Sequence, residues 1–372
     1  MSRLRVTYRI RAGGEAEARA RAEGIAYEQT VEVPPDVVPP GRIRDEIVGR
    51  IEEMGPDGEG AWRAVISYHP DSCGDDIAQL LNVVFGNSSM QRGIRVLAVE
   101  PGETLRARHP GARFGIEGVR RLTGRLRGGL IAPVLKPQGL DPGALAEIAW
   151  RCALGGADIV KEDHGLGDLP SAPFRARVEA ISAALDRAEA ETGRRPLYFA
   201  TLPGPWERIE DNIAFAKAAG ATGLLVMPGL MSFALSARIA RDDRLALPVM
   251  AHPSLTGGFV TDPAGGMDHG VIYGTLQRLS GADISVFPNV GGRFGFTAEE
   301  CRSIAAACRD PEGPGQPILP SPGGGMSVDR AGEMRAMYGD DVVYLLGGSL
   351  LRAGERIGEE IARMRAALDA AG

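Results

Sequence analysis

The chain has 372 residues, 44% of them hydrophobic, enough for one large core and a smaller second domain. Its formal net charge of −6, with both signs interspersed, excludes a nucleic-acid or anionic-membrane surface as the main function. The N-terminus MSRLRVTYRIR has no apolar leader segment, and no run approaches the roughly 18 consecutive apolar residues of a membrane span; Cys73, Cys152, Cys301 and Cys308 lack CxxC spacing, so a soluble, cytoplasmic protein is expected.

From the N-terminus, the alternation of Val6, Tyr8 and Ile10 predicts a half-buried strand, and residues 15–28 a helix. A second helical spacing covers 42–54, followed by a strand at 61–68, a helix at 75–85 and a strand at 94–99. The Pro- and Gly-rich stretch 101–115 separates this α+β domain, residues 1–115, from the rest of the chain, 116–372. There, apolar strand-like runs recur at 130–135, 158–160, 197–200, 223–227, 247–251, 283–287, 317–319 and 342–346. Most are followed by amphipathic helical stretches, among them 142–154, 173–192, 206–219, 297–307, 328–338 and 355–370. Eight alternations in about 250 residues predict a (β/α)8 barrel. An open doubly wound sheet competes, but no GxGxxG follows the first strand.

In such a barrel, chemistry gathers where the strands run out at their carboxyl ends. The segment 156–164 ends an apolar run in Lys161, Glu162, Asp163 and His164, where a strand normally ends in turn residues. Asp163 offers a hard oxygen ligand, a lysine offers oxygen only as a carbamate, and His164 shifts the preference from Mg2+ toward Mn2+ or Zn2+. The competing reading is a Lys161–Asp163 ion pair capped by His164. Lys136 closes the first barrel strand and is either a general base at an apolar mouth or a snorkelling rim lysine. His252 ends the fifth strand, placed to stabilise an enolate oxygen or to pass a proton; a structural histidine is the alternative. The loop 291–296 carries Arg293 between glycines, as a lid over an anion or as a plain exposed loop. Gly324 and Gly325, then Gly347 and Gly348, follow the seventh and eighth strands, the places where barrels hold phosphate, with Ser327 as a cap; tight turns are the alternative. His69, His109 and His269 read as structural.

These residues resemble the RuBisCO superfamily, and more closely its non-carboxylating RuBisCO-like (form IV) members, over nearly the whole chain. The run 135–140 (LKPQGL) is similar to the family's first catalytic-lysine motif, and 155–164 (GGADIVKEDH) to its carbamylated-lysine metal motif. Residues 27–30 (YEQT) and 82–87 (NVVFGN) resemble the segments that reach a neighbouring subunit's site. The resemblance implies Mg2+ held by carbamylated Lys161, Asp163 and His164, a homodimer with shared sites completed by Glu28 with Asn82 or Asn87, and no small subunit. Departures from the carboxylases stand at Gln138, His164, Arg293, Pro253 and Val286. They imply one retained phosphate cradle, a less polar far end and no carboxylation.

The implied chemistry is enolisation or isomerisation of a ketose monophosphate of the 5-methylthioribulose-1-phosphate type, through an enediolate. Lys136 is the base and His252 the proton carrier, while Met227, Leu230, Met231 and Phe233 offer a surface for a thioether end or, alternatively, simply pack barrel against helix. A decarboxylase or transcarboxylase of a 3-oxo-isoapionate-type acid is the rival, and a catalytically silent binding protein a second.

Overall fold

The computed structural model describes residues 2–370. Among the described residues there are thirteen strands: β1 (Leu4–Arg11), β2 (Arg50–Pro56), β3 (Ala61–Tyr68), β4 (Ile94–Glu100), β5 (Leu130–Leu135), β6 (Ile159–Glu162), β7 (Leu197–Thr201), β8 (Gly223–Val226), β9 (Val249–Ala251), β10 (Gly266–Met267), β11 (Ile284–Pro288), β12 (Leu319–Gly323) and β13 (Val343–Leu346). The first sheet has the order β10-β4-β1-β3-β2. The other eight strands close into a parallel barrel, with β13 returning to β5. Closure in place of an open sheet is the architecture the eight alternations predict. Among the described residues no helix is long and apolar enough to cross a membrane, and all four cysteines are free and buried.

One predicted helix is a strand. Residues 42–54 contain a single irregular turn, Ile43–Ile47, and then β2, which pairs antiparallel with β3. The helix-like spacing of Ile51 and Met54 comes from a bulge: Ile51 faces Ile66 and Met54 faces Ala64, while the register slips between them. One extra residue in an edge strand brings an i, i+3 pair onto the same face, and both side chains pack on the core. Gly49 is required just before it, since a Cβ there would fall 2.8 Å from the Ala26 carbonyl oxygen.

The two sheets are joined by β10. It leaves the loop after β9 and adds to β4 through Gly266↔Arg95 and Met267↔Val96. Arg95 secures the join, donating from Nη1 to the Asp262 and Gly265 carbonyls (2.8 and 2.7 Å) and from Nε to Asp268 (2.9 Å).

Strand alternation sorts the barrel side chains. Leu130, Ala132, Val134, Ile159, Phe199, Leu225, Met250, Ile284, Val286, Leu319 and Val343 fill the interior, and Phe114, Ile116 and Val119 pack against its lower end. Two strand ends differ from the sequence reading. β6 continues through Glu162, so Lys161 is paired within the ladder, opposite Val134 on one side and Phe199 on the other. β12 starts at Leu319 and runs to Gly323 in spite of Pro320 and Pro322. Its odd residues serve the ladder to β11, as in Leu319 N–H to Asp283 O at 3.0 Å, so the prolines fall on the β13 side, where they have no N–H to give. Among the described residues that side pairs only at Gly323↔Leu345, and the Ser321 hydroxyl reaches across to the Val343 carbonyl at 3.0 Å.

Candidate active site at the barrel mouth

The interior alternation, carried one step past the last rung, decides which residues line the mouth. From β5 the next inward position after Val134 is Lys136; from β6, after Ile159 and Lys161, it is Asp163; from β9, after Met250, it is His252; from β13, after Leu345, it is Gly347. The ladder bond from Asp163 N–H to Leu135 O (3.1 Å) sets the ends of β5 and β6 side by side.

Lys136 Nζ stands 3.3 Å from Asp163 Oδ2, and His164 Nδ1 lies 2.7 Å from Asp163 Oδ1. Burial opposes ionisation of Asp163, yet the His164 hydrogen bond and the charges of Lys161 and Lys136 hold its carboxyl well below the usual carboxylate range. Lys161 is 1% exposed and donates to the Glu162 carbonyl at 2.8 Å. Burial lowers its pKa to about 8 against the pull of Asp163, so a useful fraction is neutral amine near physiological pH. The rings of His164 and His252 stack at 3.9 Å with 17° between planes, and His252 Nδ1 lies 2.8 Å from Ser254 Oγ. Desolvation and the neighbouring charges of Lys161 and His164 press His252 well below the ordinary histidine range, so it is a neutral imidazole able to accept a proton.

Asp163 and His164 are suitable ligands for a divalent cation. Among the described residues no three aspartate, glutamate, histidine or cysteine side chains converge to hold a metal. The donor set therefore closes only if Lys161 contributes oxygen as a carbamate, and the low proton affinity of its buried amine fits that conversion.

The structure thus brings Lys136, Lys161, Asp163, His164 and His252 to one place. The glycine loops sit beside them. A Cβ on Gly347 would stand 3.7 Å from Lys136 Nζ, and Gly324 and Gly325 take left-handed φ of +91° and +64°. Ser349 Oγ donates to Met326 O at 2.7 Å and ties the eighth loop to the seventh. Ser327 makes no capping bond; the three-residue turn Val328–Arg330 follows it and runs on into the helix Ala331–Tyr338. Arg293 is exposed and rests 5.2 Å from the Phe294 ring. Arg330, which the sequence reading passed over, is the arginine that joins the sixth and seventh loops, donating to Val290 O (3.3 Å) and Gly325 O (2.7 Å).

Glu28 and Asn87 meet in the first domain, Asn87 Nδ2 donating to Glu28 Oε1 at 2.8 Å, and the Asn82 carbonyl accepts from Gln29 Nε2 at 2.7 Å. Among the described residues no hydrogen bond or ion pair joins this cluster to the barrel mouth. Met231 is buried and Leu230 is 57% exposed, so the apolar group after β8 is divided between core and surface. The three histidines read as structural have structural contacts: His69 caps a short helix, His109 lies 3.1 Å from Arg241, and His269 packs edge-on against Phe296.

Residues 115–304 match the catalytic domain of the ribulose bisphosphate carboxylase large chain. The ribulose bisphosphate carboxylase-like protein 1 of Rhodopseudomonas palustris is 41% identical, over 98% of this chain and 97% of its own. The 5-methylthioribulose-1-phosphate isomerase of Rhodospirillum rubrum is 38% identical, over 97% of this chain and 94% of its own. The crystal structure of a Rubisco-like protein from Rhodopseudomonas palustris superposes with a TM-score of 0.88 at 34% identity, covering 100% of this chain and 99% of that one.

Proposed function

The chain belongs to the ribulose bisphosphate carboxylase large-chain family, in its RuBisCO-like branch, and from that premise we propose that it enolises and isomerises a ketose monophosphate of the 5-methylthioribulose-1-phosphate type, as in methionine salvage, without fixing CO2. The observation that carries this reading is the cluster of Lys136, Asp163 and the His164–His252 stack beside Gly347. Enolisation needs a base, a centre that polarises the substrate oxygens and an anchor for the phosphate, all on one side of the substrate.

Lys161 as its carbamate, Asp163 and His164 would hold the cation, Mg2+ or, because of the imidazole, Mn2+. When bound, the cation supplies Lewis-acid polarisation of the substrate oxygens. Lys136 takes the proton from the carbon next to the carbonyl; the electron pair moves onto the carbonyl oxygen, giving the enediolate. His252, neutral and oriented by Ser254, moves a proton between the substrate oxygens, and reprotonation at the neighbouring carbon completes the isomerisation. Backbone N–H groups of Gly324, Gly325, Gly347 and Gly348 hold the phosphate. The barrel domain, residues 116–372, does the chemistry in the cytoplasm as half of a homodimer. Glu28, Asn82 and Asn87 of the 1–115 domain complete the partner's site, and Arg293 closes over the substrate once it is bound.

A second reading keeps one specific observation in its favour. Lys136 is engaged by Asp163, and a decarboxylase or transcarboxylase of a 3-oxo-isoapionate-type acid reaches an enediolate by loss of CO2, with no base required. The test is to incubate the full chain with 5-methylthioribulose 1-phosphate, Mg2+ and 13C-bicarbonate and follow 31P and 13C NMR. New ketose-phosphate signals without 13C in the product support isomerisation. An unchanged substrate, together with CO2 released from the oxo-acid, transfers the assignment to the second reading.

A further inference from the structure

Between the two proposed ligands Lys161 and Asp163 stands Glu162, and strand alternation turns its side chain out of the barrel, toward the helix Phe174–Thr192. There it is fully enclosed. Its Oε1 accepts from Arg177 Nε at 2.9 Å and from the Tyr198 hydroxyl at 2.6 Å. Its Oε2 accepts from Arg177 Nη2 at 3.2 Å and from the Thr201 backbone N–H at 2.8 Å. Both charged side chains are 0% exposed. The remaining Arg177 donors go to the carbonyls of Leu166 (3.3 Å), Ala172 (2.6 Å) and Gly167 (2.7 Å), all in the loop that begins with Asp163 and His164. On the barrel side, Thr201 Oγ1 donates to Asp163 O at 3.1 Å, and Lys161 Nζ donates to the Glu162 carbonyl at 2.8 Å.

A buried ion pair is a poor device for holding two strands together, because its desolvation offsets most of the attraction, and well-packed apolar side chains hold them equally well. What apolar packing lacks is direction. A carboxylate with four donors, paired to a guanidinium that also fixes three loop carbonyls, permits only one course for the chain on either side of it. We propose that Glu162, Arg177 and Tyr198 are positioning residues that set the end of β6 and the loop 163–172 so that Lys161, Asp163 and His164 face a divalent cation together before it binds. The inference rests on the reading of those three as ligands. Groups behind metal ligands are worth about 10- to 100-fold in metal affinity when removed, which sets the scale of the expected effect.

The experiment titrates Mn2+ into the purified full-length protein in bicarbonate and counts free Mn2+ by electron paramagnetic resonance, with Tm measured alongside. Tyr198→Phe removes one 2.6 Å bond without changing shape. Tyr344→Phe removes a partly buried bond to a neutral acceptor, Gly339 O at 3.2 Å, away from the mouth, and serves as the control. Glu162→Gln is the stronger perturbation, read only if its Tm shows a folded protein. The expected result is a roughly 10-fold weaker Mn2+ affinity for Y198F with its Tm showing a folded protein, while the affinity of Y344F stays at the wild-type value, and kcat of Y198F is restored at saturating Mn2+. Wild-type affinity in Y198F, with only Tm lowered, would show the network to be structural and overturn the inference. A wild-type protein that binds no Mn2+ overturns the ligand reading itself, and the positioning role falls with it.

Discussion

Asp283 is fully buried just ahead of β11 and, among the described residues, forms no ion pair. Its carboxylate accepts three backbone N–H groups: Phe114 (2.7 Å) and Gly115 (2.8 Å) on Oδ1, and Val249 (2.9 Å) on Oδ2. It thereby clamps the helix that plugs the barrel to two of its strands. Burial raises its pKa to about 6, with the three N–H groups opposing that rise. The folded state therefore holds this proton more tightly than the unfolded chain does, so the stabilisation is complete below about pH 4 and is lost as pH rises through about 6. Asp283→Asn removes the titration. Its amide oxygen replaces Oδ1, but its NH2 then faces the Val249 N–H, a mismatch costing about 1–3 kcal/mol. The charge-burial penalty that the substitution relieves at pH 7 is of similar size, about 3 kcal/mol, so the two proteins are expected to be nearly equally stable there. On lowering the pH from 7 to 4.5, the wild type gains about 2 kcal/mol on D283N. Urea unfolding of both proteins at several pH values measures the difference directly, and the other carboxylates cancel in the comparison. Parallel stability curves for the two proteins would refute the reasoning.

Arg177→Met leaves the Glu162 charge buried and uncompensated and is expected to cost about 3–5 kcal/mol in urea unfolding, whereas Arg293→Ala, at an exposed position, leaves stability unchanged. Gly325→Ala puts a Cβ 3.0 Å from Arg330 Nη1 and 3.1 Å from the Gly291 backbone at a φ of +64°; strain of about 1–3 kcal/mol follows, and KM for the phosphorylated substrate is expected to rise, which steady-state kinetics checks. Ser254→Ala frees His252 Nδ1 and is expected to lower kcat more than it raises KM, because the ring loses its orientation and not its contact with the substrate.

The sequence shows most of the mouth because alternation in a strand is a strict rule. Once a run is identified as a barrel strand, its carboxyl end marks the mouth: Lys136, Asp163 and His252 stand at such ends, and alternation turns them inward. The same rule shows that Glu162 faces away from the mouth, but its partners Arg177 and Tyr198 lie on a different helix and strand, and sequence spacing carries no record of such packing. Bulges defeat periodicity in the same manner: the extra residue in β2 gave Ile51 and Met54 the spacing of a helix. At β12 the run continues past 319 through two prolines, since their harm depends on which neighbour each N–H would have faced. Loop arginines are the least legible. Arg293, between glycines, drew attention, while the contacts that join the sixth and seventh loops belong to Arg330, inside a short turn with no motif.

In the proposed reaction Lys136 takes a proton from the carbon next to a ketose carbonyl at this mouth. The most direct test of this step is solvent deuterium exchange into 5-methylthioribulose 1-phosphate, followed by 1H NMR in D2O with Mg2+ and bicarbonate. Deuterium entering beside the carbonyl with the wild type, and falling by at least about 100-fold with Lys136→Ala at an unchanged Tm, is the predicted result. Exchange that persists at the wild-type rate in the folded K136A protein would contradict it.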